Sequence, residues 1–358
     1  MADKKSIRDA FTIRGHIIKN RIAIPPMYLA MNWNIPATDG MVTEEQVERY
    51  RAFAHGGAEL IVQEGAAVLP NGTIGVSELG CWKDEQIPGL SRIADAVHGE
   101  GGIVVGQLHH AGAVSISEAP VSSSEYFCKK TGKTARAMST EEVETMTDAF
   151  AAGAERFCRA GYDGVELHGA HGFIFSQFFN KRINKRTDRY ADPVEFVSEV
   201  LAKIRARVPD NFIVGIRMGA YEPTLTDGIM HAQKLAEMGI DFLDVSYGTD
   251  GDSDPYCPES WNKYADVIWA AGEIKKKVSV PVFAVYGICT GQEAEEVLAL
   301  TDVDMIDVGR SSVVDPEWTN KVLSGVTPGK CYHCKECRVG YPQKCAGMLA
   351  LKKQQADL

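Results

Sequence analysis

Apolar residues in this chain gather into short unbroken runs, separated by longer stretches in which apolar and polar positions recur with a helical period. The runs cover residues 21–24, 60–62, 103–108, 164–167, 213–218, 242–245, 282–285 and 305–308. A run without polar alternation describes a strand buried on both faces, the condition of a parallel sheet. Pro25 and Pro26 halt the first run, because proline cannot continue a ladder. The intervening stretches predict helices over residues 43–55, 90–99, 140–160, 193–208, 230–237, 261–277, 292–300 and 315–323. Thr43 stands as N-cap of the first, with Glu44 and Glu45 in its opening turn.

Eight strand–helix units over about 320 residues predict an α/β fold, a single (β/α)8 TIM barrel. A short N-terminal lead-in precedes it and a small Cys-rich C-terminal tail follows. The barrel takes residues 1–328 and the tail 329–358. A doubly wound open sheet needs a similar set of elements. No Gly-x-Gly-x-x-Gly follows the first strand, however, so the dinucleotide fingerprint of that alternative is missing. Two long insertions fall on the side of the barrel where strands end. Residues 112–138, rich in Ser, suit a lid. Residues 173–192 carry Lys181, Arg182, Lys185, Arg186 and Arg189. They are either a solvated loop held by Arg–Asp pairs or a binding element for an anionic substrate or nicotinamide phosphate.

Composition narrows the function classes. Of 358 residues, 45% are hydrophobic and 24% charged, the balance of a folded globule and not of a disordered chain. A net charge of −10 argues against nucleic acid or an anionic membrane as the main partner. No apolar run approaches the roughly 18 residues a membrane span requires. The start, MADKKSIRDA, has no apolar stretch behind its lysines, so no export signal is expected. With five of nine cysteines widely scattered, a cytoplasmic location is expected. The sequence leaves homo-oligomerisation open.

Barrel chemistry gathers at the C-terminal ends of strands. Those positions hold Pro26, Met27 and Tyr28; Gly65; Gln107; His168 and His171; Arg217; Tyr247; Tyr286 and Gly287; and Gly309 with Arg310. The last four suit a phosphate, since glycine permits close backbone approach and arginine supplies a forked permanent charge. Gln107 can donate and accept, as a pyrimidine edge requires, and Arg217 can stabilise negative charge on a reduced ring. His168-x-x-His171 could be zinc ligands, donors to a substrate oxygen, or one core and one surface histidine. No His-Glu-x-x-His helix supports zinc, and a place at the active face favours donors.

The ordered motifs Asn20-Arg21, Pro26-Met27, Glu64-Gly65-Ala66-Ala67-Val68, Gln107-Leu108-His109-His110-Ala111-Gly112 and Gly164-Val165-Glu166-Leu167-His168 carry a resemblance. So do His171-Gly172, Asn184-Lys185-Arg186-Thr187-Asp188-Arg189-Tyr190, Arg217 and Gly309-Arg310. Over residues 8 to 325 the chain resembles the old yellow enzyme family of FMN-dependent ene-reductases, within the NADH:flavin oxidoreductases. The resemblance implies non-covalent FMN, with Pro26, Met27, Gly65, Gln107 and Arg217 round its ring and Tyr286, Gly287, Gly309 and Arg310 toward its phosphate. It implies hydride from NAD(P)H and an electron-poor small-molecule acceptor such as an α,β-unsaturated carbonyl. His168 and His171 would hold the acceptor oxygen. Two positions depart from the family: Phe173 replaces a tyrosine proton donor, and the bulky Tyr28 ends the first strand. Tyr28 or Tyr247 is expected to supply the missing phenol, or water protonates the product. Alternatively, the acceptor is not an enone, and the chain is a flavin electron-transfer protein or dehydrogenase. A barrel lyase is a further rival, but no strand-end lysine offers a Schiff base.

Cys331-x2-Cys334-x2-Cys337-x7-Cys345 closes the sequence. Larger relatives place a [4Fe–4S] cluster after the barrel with a longer last spacing. The four thiols could bind such a cluster, a structural zinc, or nothing.

Overall fold

The computed structural model describes residues 5–28, 38–337 and 343–356. Eight parallel strands form the barrel: β1 (Ile22–Ile24), β2 (Leu60–Ala67), β3 (Ile103–His109), β4 (Gly164–Gly169), β5 (Ile213–Gly219), β6 (Leu243–Ser246), β7 (Val282–Val285) and β8 (Met305–Asp307). Each pairs with the next, and β8 pairs with β1 through Asp307 opposite Ala23. That last pairing closes the sheet and excludes the open alternative.

The lower interior is apolar. Ala23, Leu60, Val62, Val105, Ile213, Phe242, Phe283 and Met305 form one buried cluster, in which Phe242 stacks on Phe283 at 4.6 Å. An antiparallel hairpin, Phe11–Ile13 with His16–Ile18, places Ile13 and Ile18 in the same cluster. The lead-in, which the sequence pattern leaves without elements, is therefore a plug that shuts the bottom of the barrel. Chemistry is confined to the other end.

The surrounding helices are α1 (Glu44–His55), α2 (Ile87–His98), α3 (Thr140–Arg159), α4 (Ile174–Phe179), α5 (Glu195–Arg205), α6 (Leu225–Glu237), α7 (Asp266–Lys275), α8 (Gly291–Thr301), α9 (Arg310–Val314) and α10 (Trp318–Leu323). Thr43 caps α1 in a reciprocal box with Gln46, as expected. Three helices differ from expectation. α6 starts five residues early, because Thr224 caps it and Gly228 lies inside it. A β-carbon at Gly228 would stand 2.0 Å from the Ala220 carbonyl oxygen, so this glycine serves close packing and not a break. α7 begins only at Asp266. The expected last helix, 315–323, begins only at Trp318, after Pro316, as α10, and α9 ends before that stretch starts.

Residues 112–138 are more than a loop. Val121–Ser122, Tyr126–Cys128 and Lys133–Ala137 make a small sheet. It packs Cys128 and Ala135 on Ala111, Ala113, Val114 and Phe173. Four of the five basic residues in the stretch 181–189 pair with carboxylates, and Lys185 donates to Lys181 O. Lys181 pairs with Asp227, Arg182 with Asp254, Arg186 with Asp188, and Arg189 with Glu144 and Glu199. These pairs satisfy the structural reading of that segment. The tail ends in α11 (Ala346–Ala356), which returns to the barrel through Gly347 against Val314 and Leu351 against Gly329. Among the described residues, no helix is long and apolar enough to cross a membrane.

Candidate active site

Parallel register sets the functional side chains side by side. His168 lies opposite Arg217, Arg217 opposite Asp244, and Glu166 opposite Gln107. In strand β2 the pairing to β3 slips between Gln63 and Ala66. A bulge adds one residue and re-aims those after it. Both Gln63 and Glu64 consequently face the helices, where Tyr162 donates to Gln63 at 2.8 Å and Gln46 donates to Glu64 at 3.1 Å. Gly65 turns inward to the mouth.

Above the apolar floor lies a buried charged layer. The Arg217 guanidinium holds Asp244 at 3.3 Å, with Glu166 and Asp307 also in its field. Gln107 donates to Glu166 at 2.8 Å. Burial raises the carboxyl pKa of Glu166, Asp244 and Asp307, and repulsion from Asp244 adds to it for Glu166 and Asp307. Three carboxylates beside one cation in a dry interior cannot all stay ionised, so the layer retains protons. The outer guanidinium nitrogens reach Pro26 O and Ser246 Oγ only at 3.5 Å each. They remain free to engage a ring placed above.

Two cavities open over this layer, and Pro26 and Arg217 line both. One, about 280 Å³, is walled by Met27, Tyr286, Gly287, Gly309 and Arg310. Gly287 adopts φ +78°, a conformation that side chains resist. The other, about 250 Å³, holds Tyr28, Gly65, Gln107, His168, His171 and Phe173. The structure thus gathers every candidate strand-end residue except Tyr247 into one two-lobed cleft. The Tyr247 hydroxyl instead donates to Asp266 at the start of α7, while its carbonyl accepts from the His171 N–H at 3.1 Å.

Both histidines are held uncharged. Burial pushes the His171 pKa down to about 3, helped by the charges of Arg217 and Lys130. Burial likewise drives His168 well below its usual range, with His171, His109, Arg217 and Lys130 adding to the effect. His171 sits at φ +59°, in the left-handed region, and its Nε2 lies 2.8 Å from Ser246 Oγ. His168 is 6% exposed, and its Nδ1 is buried without a hydrogen-bond partner among the described residues. Tyr28 Oη lies 3.1 Å from Ser77 Oγ, and burial raises its pKa.

Strand-end reasoning missed six contributors. Lys130 reaches the histidine lobe from the small sheet, a placement with no sequence signal. His333 and Cys331 of the tail line the other lobe, and His333 Nδ1 lies 3.3 Å from Arg310 Nη2. Glu78 pairs with His109 at 2.7 Å beneath the mouth. Asp244 and Asp307 share the inward parity of their strands, a signal that was available.

The four tail cysteines differ in exposure. Cys345 is buried, Cys334 and Cys337 are exposed, and Cys331 is intermediate. Among the described residues, no group of three His, Cys, Asp or Glu side chains is placed to hold a metal. The donor set of the mouth, by contrast, fits FMN: an amide and a guanidinium for the ring, glycines and Arg310 for the phosphate.

A closed barrel with such a mouth defines a class, the (β/α)8 proteins built round a flat, phosphate-bearing cofactor. Within that class, the chain belongs to the NADH:flavin oxidoreductase / NADH oxidase family, whose model matches residues 9–328. It is 33% identical over 339 residues to an NADH oxidase of Thermoanaerobacter brockii, covering 90% of this chain and 51% of that protein. It is 30% identical over 317 residues to an NADPH dehydrogenase of Halalkalibacterium halodurans, covering 86% and 91%. The old yellow enzyme homologue from Zymomonas mobilis shares the fold, with a TM-score of 0.77 at 22% identity over 94% of this chain and 98% of that one. The resemblance to the old yellow enzyme family holds. The chain spans about half the length of the NADH oxidase it matches.

Proposed function

We propose that this chain binds FMN in the barrel mouth, takes hydride from NAD(P)H and reduces an electron-poor acceptor of the α,β-unsaturated carbonyl type. The observation that carries this is the continuity of the two lobes through Pro26 and Arg217. It joins a phosphate-type lobe to one holding two neutral histidines. FMN, when bound, supplies the two-electron carrier between nicotinamide and acceptor. Overall, NAD(P)H and one proton convert C=C into CH–CH, leaving NAD(P)+.

The protein's part is to orient, to stabilise charge and to supply that proton. Gln107 and Arg217 would hold the pyrimidine edge of the ring, where Arg217 opposes the negative charge of the reduced form. Met27, Gly65, Tyr286, Gly287, Gly309 and Arg310 would complete the cradle. His168 and His171 would each donate one N–H to the acceptor oxygen, so that enolate-like charge meets two preorganised donors. Phe173 contributes an apolar wall. Tyr28 is the tyrosine that lines the same lobe as these donors, and we assign it the proton for the α-carbon. We place this chemistry on the barrel through residue 328, with residues 329–358 an appended segment that lends Cys331 and His333 to one lobe.

For the tail we propose thiolate coordination of a [4Fe–4S] cluster, with zinc as the second reading. It rests on the Cys spacing alone. Iron and zinc analysis of anaerobically purified protein distinguishes them.

The test of the main reading is anaerobic. Protein loaded with FMN should bleach with NADH or NADPH, and cyclohex-2-enone should restore the colour. Bleaching without reoxidation by any unsaturated carbonyl leaves an electron carrier, and failure to retain FMN removes the proposal altogether.

A further inference from the structure

We infer that the acceptor carries an anionic carboxylate-type group, bound by Lys130, while its carbonyl oxygen lies between His168 and His171. This rests on the reductase reading above and specifies its substrate class.

Lys130 occupies the tip of the hairpin that joins Tyr126–Cys128 to Lys133–Ala137. The turn is closed by the Gly132 N–H on Cys128 O at 2.9 Å. The base is fastened as well: Tyr126 donates to Asp252 at 2.7 Å, and Cys128 and Ala135 pack against Phe173 and its neighbours. The backbone beneath Lys130 is therefore anchored, and its side chain lines the same 250 Å³ lobe as the two histidines.

The charge balance of that lobe is uneven. Lys133, on the same hairpin, bonds to Ser117 O at 3.0 Å and faces Glu118 at 3.6 Å. Lys130 makes no hydrogen bond or ion pair among the described residues. Arg217 is answered from below by Asp244, Glu166 and Asp307. Among the described lining residues the one carboxylate is Glu78, which His109 holds at 2.7 Å and the Ile74 N–H at 2.6 Å. Both substrate-facing histidines are uncharged. Among the described residues the lobe thus presents one uncompensated cation beside two uncharged imidazoles. An unsaturated carbonyl with a carboxylate along its length matches both features.

The nicotinamide nucleotide is the other anion that visits this mouth, so the experiment separates the two. With FMN-loaded protein and saturating NADH, steady-state constants are measured for 4-oxopent-2-enoate and for its methyl ester. The native protein should favour the carboxylate in kcat/KM, and the preference should shrink as salt rises. Lys130→Ala should raise KM for the carboxylate by on the order of 10-fold relative to the ester, the scale of a lost charge-assisted bond. Lys130→Arg should restore most of it, and Lys130→Glu should reverse the preference. Equal effects on both acceptors, or an effect confined to KM for NADH, would overturn the inference and leave the reductase reading intact. If neither compound reoxidises the reduced protein, the reductase reading fails and takes this one with it.

Discussion

The Phe173 ring lies 4.2 Å from that of His168 and offers no proton, so under the proposed reading another group, Tyr28, supplies it. Tyr28 opens on the same lobe, whereas the Tyr247 hydroxyl is engaged by Asp266. Tyr28→Phe should lower the rate of acceptor reduction by about 10-fold or more, within the range of general acid catalysis, without slowing flavin reduction by NAD(P)H. Stopped-flow on the two half-reactions checks this, and Tyr247→Phe should leave both rates alone. The histidines make a second prediction at this scale. Both pKa values are depressed, so neither ring gains a proton until the pH is far below 6.5, and His171 does so only near 3. KM for a neutral acceptor should be flat from pH 5.5 to 8. An inflection near 6.5 that disappears in His168→Asn would show that the imidazoles are charged in use.

Elements decide how these residues are aimed. The bulge in β2 swings Gly65 into the mouth, and the capping box of α1 reaches it through the Gln46–Glu64 bond. The turn after β5 is governed by Glu222, fully buried, with Asn180 donating at 2.8 Å and Thr249 at 3.2 Å. Burial pushes its pKa up to about 8 despite those donors. The folded state therefore keeps a proton that the unfolded chain releases near pH 4.5. Stability from this group is full below that value and is lost as pH rises toward 8. Glu222→Gln removes the dependence. Relative to the variant, the native protein should lose thermal stability between pH 5 and 8, and the difference should be constant above that. Melting curves across the range check it, and a gap that does not change with pH would place the Glu222 pKa in the ordinary range. Strand positions were legible to within a few residues, because each is a dense apolar run. The helix starts at α6 and α7 were not, since Gly228 reads as a break until Ala220 is seen beside it.

At the scale of the whole molecule, the tail lines one lobe of the candidate cleft. His333 lines the phosphate lobe beside Arg310, and its Nε2 lies 3.0 Å from Cys289 Sγ. His333→Ala should weaken FMN binding by roughly threefold to 10-fold, the loss of one hydrogen bond to a charged group. Flavin fluorescence titration of the apoprotein measures it; an unchanged Kd would mean that the tail only covers the lobe.

The barrel, its eight strands and the strand-end residues followed from sequence alone, because buried parallel strands write themselves as unbroken apolar runs and family motifs mark their ends. The family resemblance also exposed Phe173 in the place of a tyrosine. Tertiary structure decided the rest. Only closure of the sheet showed one guanidinium shared by three buried carboxyls, and only packing brought Lys130 and His333 to the mouth. These contacts join residues far apart in the chain, and no spacing or periodicity encodes a meeting between segments that fold onto the same opening from different sides.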